Sequence, residues 1–155
     1  MKKESNRVEF TKAMKKTHKI LIPNMADIHF HILEKVFLSY GYNMELLTNT
    51  DSGVIQEGLK YVHNDTCYPA LLTIGQLISA LKSGKYDVDH TAVMMSQSGG
   101  GCRASNYIHL LRKALKNAGL GQVPAISLNI SGLEKNGGFS LTLPMILKAV
   151  AAMTY

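Results

Sequence analysis

The chain has 155 residues, of which 46% are hydrophobic and 18% charged; this length and balance predict one folded domain and exclude a disordered chain. No apolar run approaches the ~20 residues of a membrane span and no secretion signal opens the sequence, so we expect a cytoplasmic protein. The two cysteines are too few for a disulfide scaffold, which leaves them as candidate thiols or metal ligands.

The net charge of +6 is concentrated at the start of the sequence, where residues 1–19 hold seven basic and two acidic side chains. This pattern predicts a basic tail or short helix over 1–17, followed by a single domain over 18–155. The body of the chain is nearly neutral and contains no Trp, whereas nucleic-acid-binding domains usually present a basic face. We therefore expect neither nucleic acid nor a membrane as a partner.

Short apolar runs alternate with helical patterns along the rest of the chain. Strands are predicted at 18–23, 42–47, 91–96 and 123–129, and helices over 24–41, 54–62, 69–83, 104–118 and 141–153. This alternation predicts an α/β domain of three layers, Rossmann-like or flavodoxin-like, with a mainly four-stranded parallel sheet. The last helix reaches no capping residue or polar tail, which indicates a fragment of a longer protein.

Candidate chemistry lies beyond the carboxyl ends of the strands, where parallel sheets bind their ligands. Cys102 follows the third strand directly, whereas Cys67 opens the helix that leads into that strand and lies at the same end only if its loop brings it there. Three glycines, 99–101, precede Cys102; such a run favours positive φ or the close approach of a bulky group. Arg103 and the helix start favour a thiolate at Cys102. From these residues alone, a phosphate site, an iron–sulfur cluster site, a reversible disulfide and two buried apolar thiols remain open.

Two segments together resemble the 2-hydroxyacyl-CoA dehydratase family. They are Asn-Asp-Thr-Cys-Tyr-Pro-Ala at 64–70, with Gly75-Gln76 following, and Ser-Gln-Ser-Gly-Gly-Gly-Cys-Arg-Ala-Ser-Asn-Tyr at 96–107. The likeness is greatest to the dehydratase-like region of CoA-substrate-specific enzyme activases, relatives of the double-cubane-cluster proteins. It extends from about His18 to the last residue, so the resemblance implies a Rossmann-like domain over this range.

The resemblance implies that Cys67 and Cys102 ligate an iron–sulfur cluster that receives low-potential electrons from an ATP-binding activator part of the parent protein. In this interpretation Gly99, Gly100 and Gly101 let the backbone approach the cluster and Arg103 balances its charge. The side chains expected around these ligands are those of Tyr68, Gln97, Asn106 and Asn129.

The sequence departs from the family pattern, because it has no activator sequence and no third cysteine, while four thiolates normally hold a four-iron cluster. We therefore expect the isolated domain to be inactive and to need either the parent protein or a homodimer to complete the site. A CoA thioester or another small molecule is the implied substrate. The alternatives are a phosphate- or CoA-binding scaffold without a cluster and a thiol redox module.

Overall fold

The computed structural model describes residues 8–63, 66–97, 103–129 and 138–154. The helices and strands follow one another in the predicted order. They are α1 (Met14–Thr17), β1 (Lys19–Ile22), α2 (Asp27–Ser39), β2 (Met44–Leu46), α3 (Ser52–Tyr61), α4 (Tyr68–Lys82), β3 (Thr91–Ser96), α5 (Tyr107–Asn117), β4 (Ala125–Leu128) and α6 (Leu143–Met153). Short 3₁₀ helices at Val88–His90 and Arg103–Asn106 precede β3 and α5.

The four strands form one parallel sheet in the order β2-β1-β3-β4. The predicted α/β fold with a four-stranded parallel sheet is therefore confirmed. Because β2 lies on one side of β1 and β3 lies on the other, the winding of the chain changes direction at β1. In open parallel sheets this change creates a crevice at the carboxyl ends of the two central strands, here β1 and β3.

Helices cover both faces of the sheet, and adjacent residues of β3 show the two layers. Met94 and Met95 have no exposed surface, yet they belong to different apolar clusters. Met95 packs with residues of α4 and α5, and Met94 with residues of α2 and α6. Burial on both faces explains why β3 is a continuous apolar run instead of an alternating one.

Helices α3 and α4 pack closely at a glycine on each helix. A Cβ atom built on Gly75 would collide with the carbonyl oxygen of Val54 and would lie 2.9 Å from the backbone nitrogen of Gly58. The absence of a side chain at Gly75 therefore lets the two backbones touch. This packing gives a structural reason for the glycine of the Gly75-Gln76 motif.

Part of the basic N-terminal segment packs against the domain. Phe10 is 4% exposed and belongs to the cluster on the α2 and α6 face, and α1 supplies one helical turn before β1. Gly138 approaches Thr11 so closely that a Cβ atom would collide with the Thr11 backbone. The segment around Phe10 and Thr11 is thus tied to the body of the protein by apolar burial and close backbone packing.

Within the described residues, no helix combines the length and the apolar character that crossing a bilayer requires.

Candidate functional site

The crevice at the carboxyl ends of β1 and β3 is formed by the segments that follow these strands. Ser96, the last residue of β3, donates its hydroxyl to the sulfur of Met25 at 3.1 Å, and Met25 follows β1. Residues 98–102 continue directly from this point and lie outside the described residues. The predicted glycines Gly99, Gly100 and Gly101 and the predicted ligand Cys102 are among them.

Cys67 lies beside the start of α5. Its backbone conformation is extended, it caps α4, and Pro69 occupies the first turn of that helix as predicted. The Cys67 Sγ atom lies 2.7 Å from the hydroxyl oxygen of Tyr107, the first residue of α5. Since α5 follows β3, this contact places Cys67 at the carboxyl edge of the sheet.

The contact joins the motif segment around Cys67 to the motif segment that ends at Tyr107. Tyr107 is 5% exposed and Cys67 is partly buried, so this hydrogen bond is largely shielded from water. Cys102 precedes Tyr107 by five residues in the chain. The sequence left open whether Cys67 lies at the same edge as the end of β3, and the position of Tyr107 answers that point.

Gln97 and Asn129, two of the predicted surrounding residues, are linked through a buried serine. Ser127 donates its hydroxyl to Gln97 Oε1 at 2.6 Å, and Asn129 Nδ2 donates to the Ser127 oxygen at 3.1 Å. Gln97 Nε2 in turn donates to the carbonyl of Ser105 at 2.8 Å. This chain of hydrogen bonds ties the end of β4 and the start of the helical segment after residue 102 to the end of β3.

Gln76 joins the segments that follow β1 and β2. Its Oε1 accepts from the backbone amide of Asn24 at 2.9 Å, and its Nε2 donates to the carbonyls of Asn49 at 2.8 Å and Leu47 at 3.3 Å. The residue is 5% exposed and lies in an otherwise apolar part of α4. Buried amides are stable when their donors and acceptors are paired, as here.

The other predicted residues have different positions. Tyr68 is 60% exposed, and Asn106 is exposed and makes no side-chain capping bond to α5. Arg103 begins the 3₁₀ turn before α5, and its side chain is outside the described part of the structure. The roles predicted for these three residues stay predictions.

The donor set provides half of a four-thiolate site. The chain contains two cysteines, and in the described ranges no three His, Cys, Asp or Glu residues lie close enough to hold a metal ion. Within those same ranges, Cys67 is a free thiol at the crevice. If four thiolates hold a four-iron cluster at this edge, two of them come from outside this chain.

Tyr107 and Ser127 were not assigned roles in the sequence analysis. Tyr107 ends the second motif, but nothing in the spacing of the motif indicates a contact with Cys67, forty residues away. Ser127 lies in a short apolar strand, where a buried hydroxyl needs a hydrogen-bond partner. A serine in an apolar strand therefore predicts a hydrogen bond from its hydroxyl, but the sequence does not identify Gln97 as the acceptor.

Among the described residues, the carboxyl group with the largest pKa shift, that of Glu45, lies away from the crevice, toward the amino ends of the strands. Burial favours the neutral form of Glu45, but hydrogen bonds from Lys19, Tyr86 and Lys85 outweigh it and lower the pKa of Glu45 to about 2. Lys19 begins β1 and Tyr86 lies shortly before β3. This network holds strand ends together and takes no part in the crevice.

Comparison of the chain with models of protein families, with curated protein sequences and with solved structures finds no match.

Proposed function

We propose that this domain holds two of the thiolate ligands of an iron–sulfur cluster, Cys67 and Cys102, as part of an electron-transfer protein of the 2-hydroxyacyl-CoA dehydratase and activase type. The observation that carries the proposal is the 2.7 Å contact between Cys67 and Tyr107. It joins the Cys67 segment to the helix that begins five residues after Cys102, at the edge of the sheet where parallel α/β domains bind ligands.

Tyr107 has a defined task in this proposal. A thiolate has no proton to donate, so the phenol hydroxyl of Tyr107 is the donor when Cys67 is ionised. Hydrogen bonds to charged groups are stronger than those between neutral groups. The buried phenol therefore fixes the direction of the Cys67 side chain and favours its ligand form.

The bound cluster would supply one-electron transfer. The chain itself supplies the two thiols, the Tyr107 hydroxyl that orients one of them, and the hydrogen bonds through Gln97 that tie the end of β3 to its neighbours. The remaining ligands would come from the parent protein, whose ATP-binding activator part would also deliver the electrons, or from a second copy of the chain. The domain alone is proposed to lack dehydratase activity, and a CoA thioester is the substrate class of the complete system.

Anaerobic reconstitution with iron and sulfide tests the proposal, followed by visible absorption spectroscopy, iron analysis and measurement of the molecular mass. We expect iron retention and sulfide-to-iron charge-transfer absorption in a dimeric wild-type chain, and the loss of both in Cys67→Ala and in Cys102→Ala. Tyr107→Phe should weaken retention. The matched control Tyr86→Phe, which removes a hydroxyl near the amino ends of the strands, should leave retention unchanged.

Two outcomes would contradict the proposal. Iron retention that survives both cysteine substitutions would show that the metal binds elsewhere. A wild-type chain that retains no iron, even with a purified activator and dehydratase partner present, would favour a scaffold or thiol redox role.

A further inference from the structure

A cavity of about 640 Å³ lies between α2, α6 and the carboxyl ends of β3 and β4. Three residues of α2 and five of α6 form its walls, among them Phe37, Met145 and Ala149. Small-molecule sites in proteins commonly measure about 300–1,000 Å³. The cavity is partly open to solvent, so a small molecule can enter it.

The α2 and α6 walls of the cavity and Cys67 lie on different faces of the sheet, while Ala104, at the sheet edge, lines the cavity and packs against the same cluster as Cys67. Phe37 and Met145 belong to the apolar cluster on the α2 and α6 face, whereas Cys67 packs against the cluster on the α4 and α5 face. A ligand in the cavity would therefore not require a cluster at Cys67. This independence allows the two proposals to be tested separately.

The lining defines the chemistry of the occupant. None of the described lining residues carries a charge, and the polar side chains among them are Ser96 and Gln97 at the sheet edge. Both Gln97 amide atoms already bond to Ser105 and Ser127. Ser96 uses its proton on Met25, so its oxygen keeps the capacity to accept a hydrogen bond. The described lining residues offer no counter-charge to an ionised ligand, which would lose part of its hydration here at a cost.

We infer that this cavity binds an uncharged small molecule with an aromatic or branched aliphatic body and one N–H or O–H donor, which bonds to Ser96. The apolar body fills the space between α2 and α6. Ala149 lines the cavity, whereas Ala151, two residues later on the same helix, is exposed and does not line it. These two alanines provide a matched pair for the test.

Fluorescence titration of the complete wild-type chain with N-phenylnaphthylamine tests the inference. This probe is a neutral aromatic amine with a single N–H donor, and its emission rises in apolar surroundings. Anilinonaphthalene sulfonate has the same aromatic frame with a negative charge. We expect saturable binding of one N-phenylnaphthylamine per chain and binding of the sulfonate weaker by about tenfold or more.

The variants locate the probe. Ala149→Phe should lower the affinity by about tenfold or more because the added ring occupies the cavity, while Ala151→Phe should leave it unchanged. Methyl NMR of the wild-type chain gives a second measurement that needs no folded variant: the probe should shift the Met145 signal and leave that of Leu143, which is 69% exposed, in place.

The inference is overturned if the sulfonate binds as tightly as the amine, if a folded Ala149→Phe chain binds the amine like wild type, or if Met145 does not respond. It is also overturned if the amine does not bind and sedimentation shows instead that Ala149→Phe breaks a dimer. That result would assign the cavity to an interface between copies.

Discussion

Replacing Gln76 by methionine removes the side-chain hydrogen bonds from Gln76 to the two loops at the carboxyl edge while nearly conserving side-chain volume. Three side-chain hydrogen bonds are lost, to Asn24, Asn49 and Leu47. At about 1 kcal/mol each, and with the 3.3 Å bond to Leu47 counted as weaker, the free energy of unfolding should fall by about 2–3 kcal/mol.

Urea denaturation measures this loss, provided that the dependence of the unfolding free energy on urea is the same for both chains. Gln56→Met is the matched control, because Gln56 is an exposed residue of α3, and it should change stability by less than about 0.5 kcal/mol. Hydrogen exchange adds a local measurement: the Asn24 amide, which donates to Gln76, should exchange faster in Gln76→Met. A loss below about 1 kcal/mol with unchanged Asn24 exchange would refute the proposed role of Gln76.

Three further predictions concern packing and pH. Gly75→Ala should lower the unfolding free energy by about 2 kcal/mol or more in urea titrations, because its Cβ collides with α3, whereas Gly121→Ala, whose Cβ has room, should change it little. Because the pKa of Glu45 is lowered in the folded chain, its carboxylate should contribute about 1 kcal/mol to the free energy of unfolding above pH 4.5. This contribution should be lost as pH falls toward 2, and Glu45→Gln should reduce the pH dependence of the unfolding free energy over that range. Burial, and next the imidazole of His90, lower the pKa of His18. The free energy of unfolding should therefore fall as pH drops below 6.5, because the unfolded chain binds the proton more tightly. This pH dependence should weaken in His18→Gln and persist in His29→Gln, a control at an exposed site.

The order of elements and the sheet type could be predicted from local signals. The continuous apolar run Thr91–Ser96 predicts a strand buried on both faces, and the helix over 69–83 follows from Pro69 and the apolar spacing after it. The alternation of strands with helices then restricts the topology to a parallel sheet with helices on both sides.

The candidate site was predicted in part. The motif around Cys67 predicts a thiol at the start of a helix, and Cys67 lies at the start of α4. Its partner Tyr107 lies forty residues away in the chain, and a contact at that separation depends on how α4 and α5 pack on the sheet. The lone amide of Gln76 in an apolar helix signals a buried hydrogen bond, but its partners come from two distant loops.

The sequence by itself determined the alternation of strands and helices and the position of Cys67 at a helix start, because these features depend on side-chain periodicity and on local backbone chemistry. Only the tertiary structure decided which segments meet at the carboxyl edge, since the strand order β2-β1-β3-β4 is set by packing between distant elements. The cavity between α2 and α6 is likewise set by packing between elements that are distant in the chain. The apolar residues that line it read as ordinary core positions along the chain, and the space appears only when α6 packs against α2.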